Sequence, residues 1–229
     1  MTRSVKPELL DYLSPSDPLA VRSREDLKRV NAWMANASLL ANEVDGLATR
    51  PKRWLELGAG DGTLLLKIFR RIRPQPNREI TLFDQQNLLT EKAGALYGAF
   101  GASVRVRQSD VLDWAEESSP EHYDVILCNL FLHHFREPEL KVIFAKISRC
   151  APFFAACEPR RSKMAVFMTN LLWLIGCNYV TRHDARVSVE AGFAGDELGA
   201  LWPKTPGWIL TEKPGGIASH IFTARRSDA

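Results

Sequence analysis

The sequence has 229 residues, of which 45% are hydrophobic and 25% charged, and its formal net charge is +3. This length and apolar content suffice for a buried core in one globular domain. The small net charge, without a long block of like charge, argues against a nucleic-acid or anionic-membrane surface. The longest apolar stretch, Met164 to Gly176, is shorter than the roughly 20 residues of a membrane span.

The cysteines and the N-terminal residues indicate the cellular compartment of the protein. The cysteines lie in apolar surroundings without CxxC spacing, at Cys128, Cys150, Cys157 and Cys177. We predict reduced core thiols rather than disulfides or metal ligands. Residues 1–7 lack the apolar run of a signal peptide. We therefore expect a cytoplasmic protein.

The first fifty residues predict a lead-in and a covering helix. Prolines at 7, 15 and 18 and little periodicity predict a loosely ordered lead-in over residues 1–21. Apolar residues then recur at helical spacing from Ser23 to Gly46, which predicts one long amphipathic helix. That helix either simply covers the sheet or also lines a substrate entrance with its Arg22, Arg24 and Asn31 side.

A glycine-rich turn is the most informative stretch. The strand-like run Trp54 to Leu57 meets glycines at 58, 60 and 62, and a helical pattern begins at Thr63. Free backbone N–H groups at such a turn suit a nucleotide-like or carboxylate-bearing ligand. Thr63 stands where a dinucleotide fingerprint has glycine or alanine, and no P-loop lysine follows. NAD, FAD and nucleoside triphosphates are therefore disfavoured.

A carboxylate follows the second predicted strand, Glu79 to Phe83. Asp84 lies about 20 residues past the glycines, where a carboxylate can accept both ribose hydroxyls of an adenosine. Gln85 would then border the adenine. The alternative is that Asp84 caps the next helix, and both roles are compatible.

These residues resemble a known family. Glu56-Leu57-Gly58-Ala59-Gly60-Asp61-Gly62 resembles motif I of the class I S-adenosylmethionine-dependent methyltransferases. Asp110 and Val111, after the third strand, match the family's adenine-binding pair, and residues 123–135 resemble motif IV of its small-molecule members. The resemblance implies S-adenosylmethionine as the cofactor. It implies these cofactor-binding residues: Glu56, Gly58, Ala59, Gly60, Gly62, Asp84, Gln85, Asp110, Val111 and Asn129.

The whole pattern predicts an α/β fold with a doubly wound, mostly parallel seven-stranded sheet. Trp208–Leu210 and Ser219–Ala224 predict a closing antiparallel hairpin. We divide the chain into an N-terminal part, 1–50, and a Rossmann-like domain, 51–229. Helices inserted at about 159–192, including an apolar helix from Ser162 to Ile175, would cover the substrate.

Methyl transfer requires near-attack geometry in a dry pocket and, for acidic acceptors, a base. The candidate bases are His133, His134 and His183, since histidine titrates near neutral pH. Arg160, Arg182 and Trp173 are candidate substrate-binding residues, the acceptor being a small apolar or aromatic molecule. His133, His134 and Glu158 lack typical metal-ligand spacing, so we predict no metal.

Three alternatives remain. A nucleic-acid methyltransferase is disfavoured because Asn129-Leu130-Phe131-Leu132 departs from the Asn/Asp-Pro-Pro-aromatic tetrad of base-methylating enzymes. A non-catalytic nucleotide-binding module of the same fold and a NAD-linked oxidoreductase are the others. We expect a small-molecule acceptor as partner, no nucleic acid, and a monomer or homodimer.

Overall fold

The structure, a computed structural model, describes residues 1–14, 16–118 and 121–227, apart from the side chains of residues 11 and 31–33. Asn31, predicted at the substrate entrance, lies outside the described side chains. The helices are α1 Pro18–Met34, α2 Asn36–Asp45, α3 Thr63–Phe69, α4 Glu91–Ala99, α5 Val111–Glu116, α6 Glu137–Cys150, α7 Lys163–Asn170, α8 Tyr179–Ala191 and α9 Glu197–Leu201. The strands are β1 Arg53–Leu57, β2 Arg78–Asp84, β3 Ala102–Gln108, β4 Val125–Asn129, β5 Phe153–Pro159, β6 Trp208–Gly215 and β7 Ser219–Arg226. Short 3-10 helices are formed by Leu9–Asp11, Leu132–His134 and Leu172–Ile175.

One seven-stranded sheet has the order β3-β2-β1-β4-β5-β7-β6. Strands β1 to β5 pair in parallel, and β7 is antiparallel to both of its neighbours. The predicted fold class and its closing hairpin are confirmed. The strand order reverses between β1 and β4, and in open α/β sheets ligands bind at the carboxyl ends of strands at such a reversal.

Two apolar layers hold the sheet. Strands β1, β4 and β5 are buried on both faces, as apolar runs in a parallel sheet require. Trp54 and Phe69 pack in the layer beneath α2, α3 and α4. On the other face, Phe154 of β5 packs against Phe144 of α6 and against Trp202, which follows α9. These layers fix the strand ends that carry the candidate site.

Two predicted helices are each divided. The single helix predicted from Ser23 to Gly46 is wrong, because Ala35 has φ 55° and separates α1 from α2. The helix predicted from Ser162 to Ile175 ends at Asn170, and a 3-10 helix follows. Among the residues that the structure describes, no helix has the length and apolarity needed to cross a bilayer.

The lead-in is attached to the domain, contrary to the loose order predicted. The Arg3 guanidinium donates to backbone oxygens of Ala191, His133 and Phe135. Backbone N–H groups of Leu9 and Leu10 donate to the buried Asp184 carboxylate at 2.7 and 3.0 Å. These contacts join residues at least 130 positions apart, so no local pattern could predict them.

Candidate functional site

The glycine turn follows β1 at the carboxyl edge of the sheet. Gly58, Gly60 and Gly62 have φ of 68°, 54° and 70°, a region that disfavours residues with a Cβ. A Cβ on Gly58 would lie 2.3 Å from the Phe131 ring, whereas one on Gly60 would meet no atom within 4 Å. The turn is therefore packed on one side and open above Gly60, on the side where a ligand can approach the backbone.

Glu56, in β1, is a buried carboxylate with an unpartnered oxygen. The side chain is 2% exposed, and its Oε2 has no hydrogen-bond partner among the described residues. Burial raises the pKa of Glu56 well above its usual range, with a smaller contribution from the charge of Asp61. A hydrogen bond from the Leu65 backbone opposes this rise. An orphaned buried carboxylate oxygen is costly unless a cationic or donor group meets it.

Acidic side chains end β2 and follow β3. Asp84 accepts the Gly60 N–H at 2.9 Å through Oδ2 and the Gln86 N–H at 3.0 Å through Oδ1. Gln85 Nε2 donates to Asp110 Oδ2 at 2.7 Å. Asp110 also caps α5, accepting from the Leu112 N–H. Asp84 thus connects the second strand end to the glycine turn, and Asp110 borders the same edge.

The helix-capping alternative for Asp84 is wrong, because Thr90 caps α4. Val111, predicted to pack on adenine, is the first residue of α5 and is buried. It belongs to the apolar cluster that contains Phe83.

Asn129, at the end of β4, is joined to residues from distant elements. Its Oδ1 accepts from Asn36 Nδ2 at 2.8 Å, and Asn36 Oδ1 accepts from the Ser219 hydroxyl at 2.8 Å. Leu130, the next residue, has φ 52°, and Ala35, which precedes Asn36, has φ 55°. Two non-glycine residues in the left-handed region therefore flank one partly buried hydrogen bond, and such strain concentrates at functional sites.

His133 is held between two carboxylates. Its Nδ1 is 2.8 Å from Glu158 Oε2, and its Nε2 is 3.8 Å from Glu8 Oε1. Burial lowers the pKa of His133, but its interactions with the Glu158 and Glu8 carboxylates outweigh this effect and raise the pKa to about 9. Glu158 also accepts backbone N–H groups of Phe131 and Leu132 at 3.0 and 2.9 Å. This carboxylate therefore fixes both the imidazole and the turn that carries it.

The three predicted histidines belong to one network that passes through the lead-in. His134 is exposed, and its ring lies over that of His133 with centroids 4.1 Å apart. His183, on α8, has Nδ1 2.9 Å from Asp184 Oδ1, the oxygen that accepts the Leu9 N–H. Glu8, the preceding residue, faces His133. Helix α8 also packs against the turn Leu132–His134.

The predicted substrate-binding residues lie on different elements. The Arg160 guanidinium donates to the Gly216 backbone oxygen at 3.2 Å, in the turn between β6 and β7. Arg182 is exposed on α8, and Trp173, in the 3-10 helix after α7, is 58% exposed. The structure describes no direct contact that joins these three side chains.

The sequence did not identify several residues at this edge as site residues. The sequence pattern places Asn36 in a continuous helix, Glu8 in a loose lead-in and Phe131 in a motif segment without a role of its own. Their partners lie 93, 125 and 73 positions away in the chain, at Asn129, His133 and Gly58. The only local signal was Pro7 before Glu8, which by itself indicates a turn.

Known proteins share this fold. Residues 55–151 match the family model described as a methyltransferase domain, and no curated protein sequence matches the chain. The plantazolicin methyltransferase BpumL, solved in complex with SAH, is similar at TM-score 0.65 and 13% identity, over 92% of this chain and 91% of that one.

Two longer proteins are also similar. An O-methyltransferase family protein from Burkholderia thailandensis matches at TM-score 0.59 and 16% identity, over 93% of this chain and 62% of its own. The pyocyanin biosynthetic protein PhzM matches at TM-score 0.60 and 17% identity, over 96% and 62%. The present chain spans less than two thirds of their length. The chain has the class I, Rossmann-like fold of the S-adenosylmethionine-dependent methyltransferases, and its residues 55–151 match the model of a methyltransferase domain.

Proposed function

We propose that the protein transfers a methyl group from S-adenosylmethionine to a small apolar or aromatic acceptor. The observation that carries this proposal is Glu56, whose buried Oε2 has no hydrogen-bond partner within the described part of the chain, beside a glycine turn that is open above Gly60. A group with a cationic amine and a carboxylate would meet both needs, because the amine can pair with Glu56 and the carboxylate with free N–H groups.

The residues at the carboxyl edge fit the rest of that cofactor. Asp84 would accept the ribose hydroxyls, in exchange for the backbone N–H groups that it now accepts or together with them. Asp110 and Gln85 would border the adenine, and Val111 would pack on the ring. Bound S-adenosylmethionine would supply a methyl group on a cationic sulfur.

The protein's part in transfer is to position the acceptor and exclude water. The carboxyl end of β4 is suited to this role, because Phe131 packs on Gly58 and the strained Leu130 fixes the chain beside it. Asn129 lies at the same strand end, where its Oδ1 is held by Asn36. Methyl transfer neutralises the positive charge of the sulfonium, so the transfer step itself needs no catalytic side chain. A base is needed only to remove a proton from the acceptor.

Among the three histidines, His183 fits best as an acceptor base. Its ring is partly exposed, and the buried Asp184 carboxylate orients Nδ1, which leaves Nε2 to take a proton. His133 fits a positioning role better, since Glu158 and Glu8 hold a positive charge on its ring.

Apolar side chains on α7 and on the 3-10 helix after it, the segment proposed to cover the substrate, support an apolar acceptor. Met164 and Phe167 on α7, and Trp173 and Leu174 after it, are 55 to 60% exposed. Exposed apolar clusters of this kind mark ligand or partner sites. Arg160 and Arg182 remain proposed contacts for an anionic acceptor group.

The proposal extends to the setting of the enzyme. The four cysteines are free and buried, which supports a reducing compartment such as the cytoplasm. A monomer or homodimer and the domain division at residue 50 remain predictions.

The experiment that tests the proposal is calorimetric titration with S-adenosylhomocysteine, followed by a methyl-release screen over phenols and aromatic amines. Gly60→Val should abolish cofactor binding, because the valine side chain would fill the open space above the turn and requires a φ of about 54° that β-branched residues avoid. Gly98→Val, at an exposed glycine of α4 with no atom near its Cβ position, is the matched control. Equal affinity of Gly60→Val and wild type would contradict the proposed cofactor site.

A further inference from the structure

A second group of ligand atoms converges beside the glycine turn, outside the residues proposed to hold the cofactor. Glu8, His133 and His134 each place one side-chain oxygen or nitrogen within 4.8 Å of the others. Glu8 comes from the lead-in, and the histidines come from the 3-10 turn after β4. His133 is two residues past Phe131, whose ring touches Gly58.

The orientation of His133 directs one ring nitrogen toward Glu8. Glu158 holds Nδ1, so Nε2 is the nitrogen that faces the Glu8 carboxylate, at 3.8 Å. In the metal-free protein a proton on the ring supplies the positive charge between the two carboxylates, and a metal ion bound to Nε2 and Glu8 would take the place of that proton. A separation of 3.8 Å exceeds a hydrogen bond, for which 2.7–3.2 Å is usual.

The distances suit a metal of small radius. Ligands at about 2.0–2.2 Å from a tetrahedral zinc ion lie roughly 3.4 Å apart. The Nε2–Oε1 pair is already within half an ångström of that value. His134 is exposed, so a small rotation of its imidazole toward this pair displaces no core side chain.

The surroundings supply the outer groups that a metal site needs. A metal-bound histidine usually donates its other ring N–H to a carboxylate, which fixes the tautomer and raises ligand basicity. Glu158 does this for His133 and is itself held by backbone N–H groups. The Ser188 hydroxyl donates to Glu8 and orients that carboxylate. With Glu8 and Glu158 both ionised, a divalent ion would neutralise the cluster.

We propose that Glu8, His133 and His134 form a divalent transition-metal site at the acceptor side of the glycine turn. Two imidazoles and one carboxylate are a ligand set for zinc or iron(II) rather than for magnesium. Three protein ligands leave a coordination position open. This last step rests on the proposed function: an acceptor oxygen bound at the open position would lose its proton more readily, because a metal lowers the pKa of a bound hydroxyl.

The test uses the full chain without a histidine tag, stripped with a chelator and titrated calorimetrically with Zn²⁺ and, separately, with Mg²⁺. We expect one Zn²⁺ per chain and no comparable Mg²⁺ binding. His134→Ala, at an exposed position, should weaken Zn²⁺ binding by more than the roughly 10–100-fold that loss of an outer-shell partner costs. Glu8→Gln should weaken it in the same direction, and His122→Ala, at another exposed histidine, should not.

The outcome does not depend on the cofactor site. Gly60→Val should keep Zn²⁺ affinity while losing S-adenosylhomocysteine, so failure of the proposed function would leave the metal site intact. The metal proposal would be overturned if the wild-type protein bound no stoichiometric Zn²⁺. It would also be overturned if His134→Ala and Glu8→Gln both kept the wild-type Zn²⁺ affinity.

Discussion

The two sides of the candidate site are assembled in different ways. On the cofactor side, Glu56, the glycine turn, Asp84 and Asp110 lie within 55 consecutive residues, each at or just after a strand end. On the acceptor side, Asn129, His133 and Asp184, the residue that orients His183, are held by residues from the first 36 positions, through bonds that span 93 to 175 positions. The cofactor side is therefore built from local strand–turn–helix units, and the acceptor side from long-range polar contacts.

Because of this difference, the two sides should respond differently to substitutions at distant residues. Local units keep their geometry when a distant residue changes, because the parallel sheet holds the strand ends. A long-range polar network depends on every segment that enters it, since one lost partner leaves a buried group unsatisfied. Changes at the lead-in should therefore affect the acceptor side and leave cofactor binding intact.

The largest expected effect concerns turnover. His183→Ala should lower turnover by roughly 10²–10⁴-fold, because a positioned base contributes a factor of this size. S-adenosylhomocysteine affinity should stay at the wild-type value, measured by calorimetry, and the exposed His122→Ala serves as the control. If His183→Ala keeps the wild-type turnover and pH profile, His183 is not the base.

The second effect concerns Glu56, whose replacement should lower cofactor affinity and raise the stability of the free protein. Glu56→Gln should weaken cofactor binding by about 1.5–3 kcal/mol, since a charge-assisted contact to the cationic amine is lost. The free protein should instead become more stable, because burial first, and Asp61 next, raise the pKa of Glu56 in the folded state.

The pH dependence of that stability follows from the sign of the shift. The folded state keeps its proton while the unfolded state releases it, so wild-type stability falls as pH rises from the ordinary glutamate range through the raised pKa. Glu56→Gln should match the wild-type melting temperature at acid pH and exceed it above the raised pKa. A variant that is less stable at every pH would show that the carboxylate is structurally required.

The third effect is on the attachment of the lead-in. Asp184→Asn should destabilise the fold by about 1–3 kcal/mol, because the amide cannot accept all the donors that the carboxylate holds. Hydrogen exchange at the Leu9 and Leu10 amides should accelerate, while S-adenosylhomocysteine affinity stays constant. The exposed Asp196→Asn is the control. A loss of cofactor affinity in Asp184→Asn would mean that the two sides are coupled.

The smallest effect is at the break between α1 and α2. Ala35→Gly should stabilise the fold by less than about 1 kcal/mol, because relief of the left-handed conformation exceeds the entropy that glycine adds to the unfolded chain. Ala95→Gly, at an exposed position inside α4, should destabilise by about 0.5–1 kcal/mol. Denaturant unfolding of both variants measures the contrast in sign.

The sequence by itself determined the fold class and the candidate cofactor residues. Alternation of apolar strands and helical patterns is a local property, and Gly58, Gly60, Asp84 and Asp110 occupy strand ends that any doubly wound sheet brings to one edge. The closing hairpin was also predictable, because two β-forming runs flank the turn before Ser219.

Only the tertiary structure decided the acceptor side. The positive φ of Ala35 runs against the local helical pattern, and it is maintained where Asn36 meets Asn129 and Ser219. The lead-in is ordered for a similar reason, because Asp184 and Glu8 find their partners only in the folded chain. Such contacts leave no periodic signal in the sequence, since they depend on which segments the fold brings together and not on the residues beside them.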